Sequence, residues 1–228
     1  MTPVIELSDI NFKREGRTIL SNVNFTINHG DFIAITGPNG GGKTTLMRII
    51  LRLLAPDSGK VVYCDEQGLP VDNLHIGYLP QKNMIDSRFP ITVSEMVELG
   101  LPLHANLSRT ERKELVRDVI GRVGLESHAS ANIGKLSGGQ LQRAMMARAV
   151  ISNPSVLVLD EPLSYVDRQF EQRIYSIVES FKGRATILLV SHDMTTIASM
   201  ATRHVIVNRE LEFCHSHSHF VRYDCAGH

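Results

Sequence analysis

The sequence predicts an α/β fold: a parallel sheet core, an antiparallel β portion before it, and an all-helical insertion. Three observations carry this. Residues 156–159 and Thr186–Val190 are unbroken apolar runs, as in parallel strands buried on both faces. Residues 4–12 and 19–27 instead alternate apolar and polar side chains, the pattern of half-buried antiparallel strands. Between them, residues 92–100, 108–123 and 138–151 have helical periodicity, with no convincing strand.

The elements follow in order. Residues 31–36 form a short apolar strand that runs into a glycine-rich turn, and residues 43–54 follow as a helix. Pro56-Asp57-Ser58-Gly59 breaks the chain ahead of a strand over residues 60–63. Ile76–Leu79 reads as a further strand that ends at Pro80-Gln81. In the middle helix of the insertion, Ser108 precedes Glu111 by three residues, a capping-box start. A helix over residues 167–181 separates the two apolar strands. At 228 residues the chain exceeds the usual single-core size, so a core with a subdomain is expected. We read one domain over residues 1–210, its helical subdomain spanning residues 82–154, and a His/Cys-rich tail at 211–228.

Composition removes several function classes. Lys and Arg number 24 against 24 for Asp and Glu, so no overall field recruits nucleic acid or an anionic membrane. The start, Met1-Thr2-Pro3-Val4-Ile5-Glu6, lacks the basic segment and apolar run of a signal peptide. Apolar stretches such as Ile187-Leu188-Leu189-Val190 fall far below the roughly 18 residues of a membrane span. Cys64, Cys214 and Cys225 are odd in number and show no disulfide framework. The chain reads as soluble and cytoplasmic, with any membrane association supplied by a partner.

Three motifs occur in a fixed order. Gly37-Pro38-Asn39-Gly40-Gly41-Gly42-Lys43-Thr44 fits the phosphate loop G-x-x-x-x-G-K-[ST]. Its glycines let the backbone approach phosphates without Cβ clashes, and the following helix directs N–H groups and dipole at the same anion. Lys43 would reach the β- and γ-phosphates, the Thr44 hydroxyl would ligate Mg²⁺, and Thr45 lies beside it. Asp160 ends a buried strand, where an uncompensated carboxylate is costly and facing Mg²⁺ removes the cost. Glu161, one residue on, projects towards the γ-phosphate and can polarise the attacking water. Leu136-Ser137-Gly138-Gly139-Gln140 opens a helix, with Ser137 as N-cap and two glycines exposing backbone donors, a second anion site. The set reads as an ATP-binding and ATP-hydrolysing protein.

The ordered set resembles the nucleotide-binding domain of ATP-binding-cassette (ABC) proteins over about residues 3–210, and residues 136–140 match the family signature letter for letter. The resemblance implies a P-loop NTPase (RecA-like) core with an N-terminal antiparallel β subdomain and a helical signature subdomain. It implies a head-to-tail homodimer in which the signature of one chain caps the γ-phosphate held by the other's phosphate loop. Gln81 then matches the glutamine that senses Mg²⁺ and the transmembrane partner, Asp167 the acidic residue of the dimer-contact loop, and His192 the histidine that contacts the γ-phosphate. Family members usually stack an aromatic residue on adenine near the N-terminus. Here Arg14 takes that place, since a guanidinium plane also stacks on a base, and Phe12 is expected in the core.

The cargo is less sharply written than the motor. Gly77-Tyr78-Leu79-Pro80-Gln81 with Phe89-Pro90 and Thr92-Val93 resembles ATPases of zinc and manganese importers. That resemblance implies separate permease subunits and an extracytoplasmic metal-binding protein, with the ATPase peripheral on the inner face of the cell membrane. Residues 82–101, including Asn83-Met84-Ile85-Asp86 and Phe89-Pro90-Ile91, mix apolar groups with turn residues and suit a docking surface. Transport of an iron chelate or another small molecule, export, and a non-transport role stand as alternatives. The last is opposed by the single cassette and the lack of heptads. In the tail, Cys214-His215-Ser216-His217-Ser218-His219 precedes Asp224-Cys225 and His228. On an extended chain His215, His217 and His219 share one side, which can hold Zn²⁺ with Cys214 or Cys225. The other reading is a polar disordered end.

Overall fold

In the computed structural model, residues 2–81, 89–102, 106–164, 166–191 and 200–214 are described. The elements in chain order are β1 (Pro3–Arg14), β2 (Arg17–Asn28), β3 (Phe32–Thr36), α1 (Lys43–Ile50), β4 (Ser58–Cys64), β5 (Pro70–Val71) and β6 (Ile76–Leu79). Then come α2 (Val93–Glu98), α3 (Arg109–Arg122), α4 (Gly138–Val150), β7 (Val156–Asp160), α5 (Arg168–Phe181), β8 (Thr186–Val190), β9 (Arg203–Asn208) and β10 (Glu210–Cys214). They fall into two compact units, Met1–Asp72 with His192–His228, and Asn73–Ser191.

The first unit holds an antiparallel sheet in the order β2-β1-β4-β5. Alternation holds in stretches: Ile5 and Leu7 of β1 and Val23, Phe25 and Ile27 of β2 are buried at period two, while Val4 is also buried and the three-residue steps to Ile10 and from Leu20 fall at left-handed Asp9 and Asn22. Glu15 and Gly16, at φ 50° and 76°, form the tight turn that a twisted hairpin requires. Phe12, expected in the core, is only half-buried, because the last turn of this hairpin projects beyond the sheet's covered part.

Also in this unit, β3 pairs in parallel with β9, and β10 returns antiparallel on β9. β9 and β10 are strands that the sequence reading did not assign, and β10 takes residues 211–214 out of the expected tail. Helix α1 stops at Ile50 rather than continuing to Leu54. Arg52 turns left-handed at φ 54°, and the N–H groups of Leu53 and Leu54 fold back onto the carbonyl of Arg48.

The second unit carries three parallel strands in the order β8-β7-β6. Every residue of β7 and β8 is buried, which is why their sequences are unbroken apolar runs. The expected insertion helices lie in this unit. Thr92 with Glu95, Ser108 with Glu111, and Ser137 with Gln140 each close a reciprocal capping box, so α2, α3 and α4 start where the sequence places their caps. Asp167 caps α5 by accepting from Phe170 N–H.

Candidate functional site

In the first unit, β3 delivers the chain into the glycine loop and α1 leaves it. Gly37 is at φ 141°, and a Cβ there would stand 2.1 Å from the carbonyl oxygen of Val207; one on Gly41 would stand 2.5 Å from the same atom. The loop therefore lies directly on the backbone of β9, an approach that only glycine permits. Arg209 N–H donates to Gly41 O at 2.9 Å and secures it from the β9–β10 turn. Lys43 is 6% exposed, and its ammonium donates to the carbonyls of Gly37 at 2.9 Å and Pro38 at 3.0 Å. Gly42 begins α1 without a side-chain cap. A buried ammonium ringed by loop carbonyls at an uncapped helix start fits phosphate oxygens. Asn39 and Gly40 are exposed at the loop's rim, Pro38 half-buried below them, and Thr44 and Thr45 half-buried in the first turn of α1.

Arg14 sits at the tip of the β1–β2 hairpin with 72% of its side chain exposed and an ionic contact of 3.9 Å to Glu15. Its guanidinium is open to a flat ligand from solvent.

In the second unit, Asp160 is the last residue of β7 and is 1% exposed. A carboxylate so enclosed at a strand end fits a divalent cation. Glu161 follows at φ 52°, its N–H donating to Val190 O at 2.9 Å. Left-handed backbone is unfavourable for a side-chain-bearing residue, and it turns Glu161 sharply off the strand. Gln81, at the end of β6, donates from Nε2 to Glu161 Oε2 at 3.3 Å, and the Ser164 hydroxyl donates to the same oxygen at 3.3 Å. Thus Gln81 and Glu161, 80 residues apart in sequence, meet as neighbours.

The signature opens α4. Ser137 Oγ accepts from Gln140 N–H at 3.3 Å, and Gln140 Oε1 accepts from Ser137 N–H at 2.8 Å. Gly138 and Gly139 form the first helical positions, where N–H groups have no intrahelical acceptor. Gln140 Nε2 lies 3.0 Å from His128 Nε2. The Gln140 oxygen is engaged by Ser137, so its amide nitrogen is the group that faces His128, whose Nδ1 in turn lies 3.0 Å from Ser127 Oγ.

Farther along α4, Gln142 bonds the carbonyls of Glu161 and Pro162, and Arg143 pairs with Asp167 at 2.6 Å. The N–H of Phe170, and next Arg143, hold the Asp167 carboxyl below its usual range. Gln142, Arg143, Ser164 and His128 were not singled out from sequence. Gln142 and Arg143, the fifth and sixth residues of α4, read as surface polar positions in sequence, and only the packing brings them against the loop that follows β7. His192 and the tail residues His215, His217, His219 and Cys225 lie outside the described residues. Among the described residues there is no group of three potential metal ligands.

A phosphate loop closing on its own lysine, together with a buried strand ending in aspartate and glutamate, defines the class: an ATP-hydrolysing P-loop protein. The chain belongs to the ABC transporter family, whose model matches residues 20–164. It is 36% identical to the zinc import ATP-binding protein ZnuC of Pasteurella multocida, over 92% of this chain and 74% of that one. The zinc uptake system ATP-binding protein ZurA of Listeria innocua is 32% identical, over 97% of this chain and 90% of the relative. Among solved structures, the bacterial ABC transporter cassette MJ0796, a dimer, aligns with a TM-score of 0.80 at 27% identity, covering 91% of this chain and 96% of that one. The nucleotide-binding fold and ATPase class expected from sequence are thereby borne out. No helix among the described residues is long and apolar enough to cross a membrane.

Proposed function

We propose that this chain is the ATPase subunit of a metal-ion importer, with zinc as the favoured cargo and manganese the second. The observation that carries the reading is the 36% identity to a zinc import ATP-binding protein over 92% of the chain. The subunit would work from the inner face of the cell membrane, on separate permease subunits fed by an extracytoplasmic metal-binding protein. Phe89 and Leu99 of the second unit, 58% and 69% exposed, supply apolar surface close in sequence to Gln81 and suit a permease contact.

Lys43 and the amides of the loop from Gly37 to Gly42 would hold the phosphates of ATP, and Arg14 would stack on the base. Thr44, Asp160 and Gln81 would hold Mg²⁺, which supplies charge neutralisation on the phosphates when bound. Glu161 would take up the proton of the attacking water, with Gln81 and Ser164 fixing one carboxylate oxygen at 3.3 Å so that the group keeps one orientation. His192 would contact the γ-phosphate. In a head-to-tail homodimer, Ser137, Gly138, Gly139 and Gln140 would close over the nucleotide of the opposite chain. The cassette read from sequence as residues 1–210, extended to Cys214 by β10, would act as one domain, with the tail beyond it as a separate zinc-binding segment through His215, His217 and His219.

Uptake of radioactive zinc and manganese by cells whose only copy carries Lys43→Ala tests the assignment. Zinc accumulation at limiting metal should fall to the level of a deletion strain. Unchanged uptake of both metals, with the variant protein present and folded, would reject metal import.

A further inference from the structure

Gln142 and Arg143 are consecutive residues in the second turn of α4, the helix that begins at the signature. Gln142 is 1% exposed, and its Nε2 donates to Pro162 O at 3.2 Å and lies 3.5 Å from Glu161 O. Its Oε1 is buried and accepts no hydrogen bond among the described residues. A side chain chosen only to fill this space would be better served by leucine or methionine, which strand no oxygen. What glutamine adds is a donor aimed at main chain, and that main chain is Pro162 and, at longer range, Glu161 itself, the residue carrying the reactive carboxylate. Glu161 needs such support: its φ of 52° persists only where surroundings impose it. Val190 O holds its N–H, Ser164 N–H reaches its carbonyl at 3.2 Å, and Gln142 grips the same carbonyl from the helix side. At the other end of this loop, Arg143 stacks 4.6 Å above Phe170 and binds Asp167, whose other oxygen caps α5.

We infer that Gln142 is a positioning residue for Glu161, tying the loop that bears the carboxylate to the signature helix. Placement of Ser137 on nucleotide is then felt, through one rigid helix, by the same chain's own Glu161. The inference rests on the role proposed above for Glu161 as the group that polarises water.

The test uses full-length chains and single-turnover ATP hydrolysis with enzyme in excess. Gln142→Leu should lower the rate constant roughly tenfold while leaving the ATP dissociation constant within about twofold and the melting temperature equal or higher. Gln142→Met serves the same purpose if the leucine variant fails to fold. In a Glu161→Gln background, Gln142→Leu should cause no further loss, because it acts only through that carboxylate. A parental rate in Gln142→Leu, or a tenfold loss in both backgrounds, overturns the inference. A parental rate in Glu161→Gln alone would instead remove the reading of Glu161 on which it rests.

Discussion

Replacing Glu161 with glutamine should separate nucleotide binding from hydrolysis. The substitution keeps the shape of the side chain. Both Gln81 Nε2 and Ser164 Oγ donate to Oε2 at 3.3 Å, and a carboxamide oxygen can receive them in the same place. Backbone contacts, including the bond from Glu161 N–H to Val190 O at 2.9 Å, are untouched. Exchanging two charge-assisted bonds for neutral ones costs about 1 kcal/mol, so the fold should survive with a small change in melting temperature. Loss of a positioned general base slows reaction by about 10²–10⁴, or roughly 2.7–5.4 kcal/mol at 1.36 kcal/mol per decade. On the proposed site Lys43 and Thr44 would still bind Mg·ATP, so the bound state should accumulate. Light scattering of Glu161→Gln should therefore give a doubled mass on adding Mg·ATP, whereas Lys43→Ala should stay monomeric under the same conditions. Hydrolysis by Glu161→Gln at the parental rate would refute the assignment, and ATP-driven dimers of Lys43→Ala would refute the loop's role in assembly.

Two further outcomes are expected. A chain ending after Cys214, which keeps β10 whole, should bind ATP as the full chain does but lose calorimetric zinc binding. In the full chain that binding should weaken as pH falls through about 6.5, where imidazoles protonate; equal zinc binding by the two forms would leave the tail a polar end. Asp167, held below its usual range by Phe170 N–H and Arg143, binds fewer protons folded than unfolded, so its stabilisation is complete above about pH 3.9 and lost as pH falls through the lower native value. Urea midpoints of the parent and Asp167→Asn should differ at pH 6 and converge in strong acid; a constant difference down to pH 2 would remove Asp167 from the acid response.

Much of this was legible because each feature had a local cause. The capping boxes at Ser108 and Ser137, the buried runs of β7 and β8, and the alternation of β1 and β2 are each written in adjacent residues. What escaped was set by distant contacts. The β9–β10 hairpin turns on Arg209 at φ 64°, a residue with no turn signature, held there by Ser21 N–H on its carbonyl and by its own N–H on Gly41. The histidine-rich sequence after Cys214 also hid the period-two pattern of the strand before it. In α1, the early stop came from a left-handed arginine rather than from a glycine or proline. At the site, Lys43 was readable from its motif, but the burial of Gln142 came from packing that no short pattern encodes.

The floor of the phosphate loop has a consequence for synthesis of the chain. Residues 37–44 leave the ribosome early, yet they rest on Val207 and are fastened by Arg209, and neighbouring β3 begins where Phe32 N–H meets Thr202 Oγ1 across 170 residues. At about 5–20 residues per second, on the order of ten to thirty seconds separate the making of the motif from the making of its support. During that interval the nascent chain carries a complete nucleotide-binding sequence with nothing beneath it. A chain truncated before β9 should therefore bind ATP more weakly than the finished subunit, since its loop lacks the Val207 and Arg209 contacts. The last strands to emerge decide when the first motif begins to work.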